Sequence, residues 1–133
     1  MTDDKANFLM DRINQCPFNQ EIGIHAVKVE DGYAEIAADV SARSVNIWGL
    51  PHGGLLFSVA DVAAGLAAQS LHDATVVTIS ANVNFIQSDR QSKQLLAIGR
   101  HIKRGKSVGF FHVEVFSQAG TLLLTGQYVM HFS

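Results

Sequence analysis

The sequence places a single acidic residue, Asp61, inside a long apolar segment. Asp61 is the sole charged residue in the segment 53–71. Burying a carboxylate among apolar side chains is costly unless the charge is paired or put to chemical use. We therefore interpret Asp61 as a candidate nucleophile or general base. The alternative is a structural carboxylate that caps a neighbouring segment or pairs with an arginine such as Arg100.

His52-Gly53-Gly54 opens the same segment. Two glycines allow a sharp turn and a close approach of a ligand to the backbone. The first amide N–H groups of a helix have no intrahelical partner and lie at the positive end of its dipole. Such a place suits a developing oxyanion. One hydrogen-bond donor contributes about 2.7–4 kcal/mol of transition-state stabilisation there. The alternative is a tight loop-to-helix turn without a chemical role.

The spacing of these two features leads to a prediction about the quaternary structure of the protein. Gly53 and Asp61 are eight residues apart, which is about 12 Å along a helix axis. That distance is too large for both groups of one chain to act on the same carbonyl carbon. If both serve one reaction, they come from different subunits of a homodimer.

Periodicity predicts the elements that must position these groups. Residues 1–17 form an N-terminal helix that Pro17 ends, and residues 53–71 form a central helix that is apolar on nearly all sides and therefore buried. Strands are predicted at 22–29, 33–40, 75–87, 95–104, 107–117 and 121–132. Short connections make the last three an antiparallel meander. We predict one α+β domain over 1–133, with five or six antiparallel strands wrapped around the central helix.

Composition excludes several classes of protein. The formal net charge of −2 gives no basic footprint for nucleic acid or an anionic membrane. No signal peptide or membrane-spanning stretch is evident, and the single cysteine, Cys16, fits a reducing compartment. The six histidines show no metal-ligand spacing, and no GxSxG motif is present. We expect a cytoplasmic protein with no metal and no membrane or nucleic-acid partner.

One segment carries a family resemblance. Asn46, five intervening residues, and then His52-Gly53-Gly54 with Leu-Phe-Ser-Val-Ala-Asp over 56–61 resemble the signature of hotdog thioesterases of the phenylacetic-acid-degradation (PaaI-like) type. The resemblance covers about residues 20 to 131. It implies a hotdog fold and hydrolysis of an acyl-CoA, with coenzyme A present only as part of the substrate.

The resemblance also implies roles for individual residues. Asp61 attacks the thioester carbon or activates water, Gly53 of the other subunit polarises the carbonyl through its amide, and Asn46 and His52 orient these parts. The implied substrate-binding residues are Gly54, Phe57, Thr78, Ser80, Phe85, Arg90, Arg104, Gly105 and Lys106. Of these, the basic hairpin 104–106 with Arg90 would hold CoA phosphates, although a basic turn is otherwise an ordinary solvated loop. Thr78, Ser80 and Phe85 could equally serve sheet packing.

Two other functions stay open at this point. A hotdog hydratase or dehydratase also holds acyl thioesters, but the carboxylate two turns into a helix that opens with His-Gly-Gly favours hydrolysis. A non-catalytic acyl-CoA-binding module would gain nothing from a carboxylate beside a thioester. The acyl group itself is open between aryl and medium-chain types, because Leu56, Phe57 and the 41–51 loop would form a generally apolar pocket. We expect a homodimer that assembles further into a tetramer.

Overall fold

A computed structural model describes all 133 residues and shows three helices and six strands. The strands form one sheet in the order β1-β2-β4-β5-β6-β3, in which all neighbours are antiparallel. The predicted sheet around a central helix and the predicted β4-β5-β6 meander are therefore confirmed. The elements are α1 Asp3–Gln15, α2 Pro17–Ile22, β1 Ile24–Glu30, β2 Tyr33–Asp39, α3 Gly53–Gln69, β3 Val76–Phe85, β4 Gln94–Arg104, β5 Val108–Phe116 and β6 Leu122–Phe132.

The central helix α3 is largely buried because all six strands of the sheet pack against it. A glycine makes this close packing possible: a Cβ atom at Gly99 on β4 would lie 2.8 Å from the carbonyl of Ala63. None of the helices is long and apolar enough to cross a membrane. The fully or almost fully buried residues of α3 are Leu55, Leu56, Val59, Ala60, Ala63, Ala64, Leu66, Ala67 and Ala68.

The C-terminal end of α3 is held by several elements. The Ser70 hydroxyl donates to the Ala67 carbonyl at 2.6 Å and accepts the Gly32 N–H at 2.7 Å. The Arg104 guanidinium donates to the Leu71 carbonyl at 2.6 Å. The bond from Ser70 to Ala67 satisfies one of the carbonyls that a helix end leaves unpaired. Helix α3 ends at Gln69, two residues before the predicted boundary.

The N-terminal region differs from the prediction at Pro17. Helix α1 ends before this residue as expected, but Pro17 also begins the short helix α2, which sequence patterns did not reveal. Cys16 is extended between the two helices, as the residue before a proline prefers. Gly23, with φ 79°, then ends α2 in the left-handed conformation, so β1 starts at Ile24 instead of residue 22.

Strand β3 forms one edge of the sheet, because it pairs only with β6. Three large apolar side chains on or directly after this strand are more than half exposed: Ile79 (57 %), Phe85 (55 %) and Ile86 (52 %). A register shift between Thr78 and Ser80 bulges the strand at Ile79. An apolar edge strand with unpaired backbone groups is a surface that a second chain can cover.

Candidate active site

The Asp61 carboxylate lies on α3 opposite the edge strand β3. It is half-buried, and its Oδ1 accepts a hydrogen bond of 2.6 Å from the Thr78 hydroxyl. Asp61 forms no salt bridge and accepts no backbone N–H, so it neither pairs with an arginine nor caps a segment. The Arg100 guanidinium instead lies 5.4 Å from the centre of the Tyr33 ring. One carboxylate oxygen of Asp61 is therefore unengaged.

The amide groups at the start of α3 are not equivalent. His52 is the N-cap, and its Nδ1 accepts the Gly54 N–H at 2.8 Å. Because Nδ1 is the acceptor, the proton of a neutral His52 ring resides on Nε2. The Gly53 N–H takes part in none of the backbone or side-chain hydrogen bonds. Of the two glycine amides, Gly53 thus presents the free donor.

Asn46 shapes the loop that leads into this helix end. Its side-chain oxygen accepts the N–H groups of Trp48 at 2.9 Å and Leu50 at 3.0 Å. Arg90 reinforces the same loop by donating to the Trp48 carbonyl at 2.5 Å. Asn46 is therefore placed to hold the loop before His52, which is compatible with the orienting role that the resemblance implies.

A small cleft of about 340 Å³ borders the free amide. Its lining includes Gly53, Asn46, Leu56 and Phe85. A Cβ atom at Gly53 would lie 3.4 Å from Cε1 of Phe85, so the ring stands directly beside this amide. The structure therefore brings Phe85 and Asn46 close to Gly53.

Tyr128 packs against α3. Its role in supporting this helix was not predicted from the sequence. Its ring is fully buried, its hydroxyl donates to the Phe57 carbonyl at 3.1 Å, and its ring centre lies 5.5 Å from that of Phe57. Burial raises the pKa of Tyr128, and the negative charge of Asp61 adds to the increase. Tyr128 therefore stays protonated and holds the turn of α3 that precedes Asp61. The inward position of Tyr128 in β6 depends on the strand register. The sequence pattern alone did not predict that register.

The cations that were predicted to form one cluster, Arg90 and those of the hairpin 104–106, lie apart in the structure. Arg90 bonds the loop before α3, whereas Arg104 bonds the Leu71 carbonyl beyond the other end of this helix. A helix of 17 residues separates its ends by roughly 25 Å. Within one subunit, Arg90 therefore does not join the hairpin 104–106. Lys106 is exposed and has no carboxylate partner.

The structure also shows the positions of Ser80 and Gly105, two other residues that were predicted to bind substrate. Ser80 precedes Ala81, which packs against the core, so strand alternation turns Ser80 to the outer face and away from Asp61. A Cβ atom at Gly105 would lie 2.1 Å from the Val108 carbonyl oxygen, so the hairpin itself requires this glycine. No three His, Cys, Asp or Glu side chains lie close enough together to hold a metal ion.

Comparison with known proteins decides the family. A model of the thioesterase superfamily matches residues 49–124, which include the start of α3, Asp61 and Thr78. The chain belongs to the thioesterase superfamily. Its resemblance to PaaI-like members is confirmed by the acyl-coenzyme A thioesterase PaaI of Escherichia coli, which is 29 % identical over 73 % of this chain and 69 % of that protein. The solved structure of E. coli PaaI confirms the hotdog fold, with a TM-score of 0.85, 23 % identity and coverage of 92 % and 88 %.

Another similar structure was solved with a ligand. A Streptococcus mutans protein with bound acetyl-CoA is 25 % identical, with a TM-score of 0.77 and coverage of 84 % of this chain and 89 % of that one. Some curated relatives are longer: the matched segment spans 62 % of a putative esterase of Archaeoglobus fulgidus and 66 % of one of Deinococcus radiodurans. The match to the superfamily model covers helix α3, strands β3 to β5 and the groups that they carry.

Proposed function

We propose that this protein is an acyl-CoA thioesterase that hydrolyses an acyl-CoA to the free acid and CoA. The observation that carries the proposal is the pair formed by the Asp61 carboxylate and the unbonded Gly53 amide on one helix. The PaaI and acetyl-CoA-bound relatives support acyl-CoA as the substrate. The sole cysteine, Cys16, is free, which suits a cytoplasmic location.

The proposed hydrolysis uses the Asp61 carboxylate and the Gly53 amide. Ionised Asp61 either attacks the thioester carbon, forming an anhydride that water then hydrolyses, or removes a proton from the attacking water. In both routes the carbon–sulfur bond breaks, CoA leaves as the thiolate, and oxygen from water ends in the acid. The Gly53 N–H stabilises the negative charge that develops on the carbonyl oxygen. No step needs a metal or another cofactor.

The distance between these groups supports a site shared by two subunits. Eight residues of regular α-helix separate Gly53 from Asp61, a rise of about 12 Å. The face of α3 that carries Asp61 is not fully covered: Phe57 is 38 % exposed, and a Cβ at Gly65 would meet no atom within 4 Å. A second copy that covers this face and the apolar edge β3 would bring its own Gly53 towards Asp61. We therefore propose a homodimer, which pairs further into a tetramer.

Mixing two inactive variants tests the shared site. Asp61→Asn and Gly53→Pro homodimers each lack one group at both sites, whereas a mixed dimer keeps one complete site. After the variants are denatured together and refolded, activity should recover to about a quarter of the wild-type level, because half of randomly paired dimers are mixed and each has one intact site. The measurement is thiol release against the mixing ratio. Activity that stays at the level of the separate variants would refute a site built from two subunits.

The acyl group is proposed to be of aryl or medium-chain type. The cleft beside Gly53 includes Leu56, Phe85 and Ile86. A second cleft of about 320 Å³ lies at the same end of α3, where Phe18, Ile22 and Leu55 form its apolar part. These side chains suit an apolar acyl group of moderate size.

A thiol-release screen over aryl- and alkyl-CoA thioesters is the direct test of the function. We expect saturable release of CoA, highest for aryl or medium-chain substrates and unchanged by EDTA because no step uses a metal. Crotonyl-CoA is assayed in parallel for hydration. Hydration without thiol release would favour a hydratase, and binding of acyl-CoA without either reaction would favour a non-catalytic module.

A further inference from the structure

We propose that Trp48 of each subunit packs on the bare backbone at Gly65 in helix α3 of the other subunit, and that this contact positions the Gly53 amide at the shared site. This inference rests on the proposed function and deepens it. It names the side chain through which one subunit sets the geometry of the site that it shares with its partner.

Gly65 has no structural reason within its own subunit. It lies in the interior of α3, where glycine lowers the stability of a helix relative to alanine. A Cβ atom at Gly65 would meet no other atom within 4 Å, whereas one at Gly99 would lie 2.8 Å from the backbone of Ala63. A glycine allows a bulky group to approach the helix backbone closely. For Gly65, that group must come from outside the subunit.

Trp48 is a bulky side chain that its own subunit leaves uncovered. It is the sole tryptophan of the chain, it is 67 % exposed, and its ring stacks on no aromatic ring of the subunit. Its backbone is nevertheless fixed, because its N–H donates to the Asn46 side chain at 2.9 Å and its carbonyl accepts from Arg90 at 2.5 Å. A large aromatic ring on a fixed loop is typical of the anchors of protein interfaces.

The shared site determines how the two copies of α3 run. Gly53 and Asp61 of one chain are about 12 Å apart along the helix axis, and each must meet the other group of the partner. A two-fold axis parallel to the helices would place both Gly53 amides at the same level, far from either carboxylate. The two-fold axis therefore lies across the helices, and the two copies of α3 run in opposite directions.

This direction places the Trp48 loop beside Gly65. One side of α3 carries four residues at intervals of four: Gly53, Phe57, Asp61 and Gly65. Phe57 is midway between Gly53 and Asp61, so this partly exposed ring lies at the two-fold axis. The loop that precedes Gly53 in one chain then continues past Asp61 of the other chain. It reaches Gly65, one helical turn further on.

The contact acts on catalysis through Gly53. Four residues separate Trp48 from Gly53, and a bridge between Val45 and Pro51 closes the base of the loop. The loop and the first turn of α3 therefore move as one piece, and docking of Trp48 sets the distance from the Gly53 N–H to the thioester. A displacement of about 1 Å can cost roughly 10²-fold in rate. Trp48 is thus a positioning residue.

The fluorescence of Trp48 measures the contact directly, because no other tryptophan contributes. In the wild-type dimer, its emission should lie at a shorter wavelength than that of a water-exposed indole. Gly65→Leu should shift the emission to the longer wavelength and weaken the dimer in sedimentation by about tenfold or more, as loss of an aromatic anchor does. Leucine favours a helix more than glycine does, so circular dichroism should show that each subunit keeps its fold.

Activity tests the positioning role. Trp48→Ala should lower kcat by about 10–10²-fold with a smaller change in KM, because the amide is misplaced while the substrate contacts remain. Trp48→Phe should recover most of kcat, since an aromatic ring again covers Gly65. Phe8→Ala is the matched control: it removes a ring that is 58 % exposed on α1, and it should change neither kcat nor the dimer.

Fluorescence and sedimentation need no turnover, so they separate this inference from the proposed function. If the wild type hydrolyses no thioester but Gly65→Leu exposes Trp48, the proposed function fails and the contact stands. An emission that already matches an exposed indole in the wild type, or that Gly65→Leu leaves unchanged, would overturn the contact. A higher KM of Gly65→Leu with unchanged emission would show that substrate, and not Trp48, covers Gly65. Wild-type activity in Trp48→Ala would overturn the positioning role.

Discussion

Asp61→Asn should lower kcat by about 10²–10⁴-fold, the usual contribution of a general base. The amide has nearly the same volume as the carboxylate but can neither attack the thioester carbon nor accept a proton from water. KM should change little, because the amide occupies the same space and its oxygen can still accept the Thr78 hydroxyl bond. The measurement is thiol release under saturating acyl-CoA.

The melting temperature of the same variant distinguishes catalysis from a structural role. Asp61 has a single hydrogen-bond partner and no salt bridge, so removing its charge should keep or raise stability. A carboxylate needed for the fold would give the opposite result, with a lower melting temperature and an almost unchanged kcat. Thr78→Val serves as the comparison, because it removes the hydrogen bond and keeps the carboxylate.

Gly53→Pro should lower kcat by about 10²–10³-fold, the cost of losing one oxyanion donor. Gly53 is the first residue of α3, and proline is well tolerated at that position because its missing N–H has no helical partner. His52 already has the extended conformation that precedes a proline, with φ −65° and ψ 139°. The substitution therefore removes the amide hydrogen while leaving the helix in place.

Gly53→Ala is the matched control, because it adds a Cβ atom and keeps the N–H. That atom would lie in ordinary contact distance of Phe85, at 3.4 Å from Cε1. The alanine variant should therefore keep most of the activity, and circular dichroism should show equal helix content in both variants. If alanine and proline lower kcat equally, crowding by the side chain, rather than loss of the amide, explains the effect.

The sequence predicted the central helix and the sheet because their signals are local. The run 53–71 contains one charge among apolar and small residues, and strand segments are separated by short turns. The same run carries Gly53 and Asp61, so the spacing of the candidate groups followed from helix geometry. Helix α2 was missed because six residues that begin with a proline carry too short a pattern to reveal a helix.

Contacts between distant segments could not be predicted in the same way. Arg90 and Arg104 stand near each other in the sequence, but the topology sends them to opposite ends of α3. The bond from Thr78 to Asp61 and the support of Phe57 by Tyr128 depend on the register of β3 and β6. A bulge in β3 shifts that register by one residue and decides that Thr78, and not Ser80, meets the carboxylate.

Hydrogen bonds hold both ends of α3. They affect how much the groups of the proposed active site must reorient during catalysis. Ser70 and Arg104 fix the far end of the helix, and the His52 ring fixes the near end by taking the Gly54 amide. The Gly53 dipole is consequently oriented before a substrate arrives. Solvent water would have to reorient around a developing oxyanion, whereas this amide need not. In the proposed mechanism, the firmly packed interior of the subunit therefore contributes to the rate, through dipoles that are already aligned when charge appears on the carbonyl oxygen.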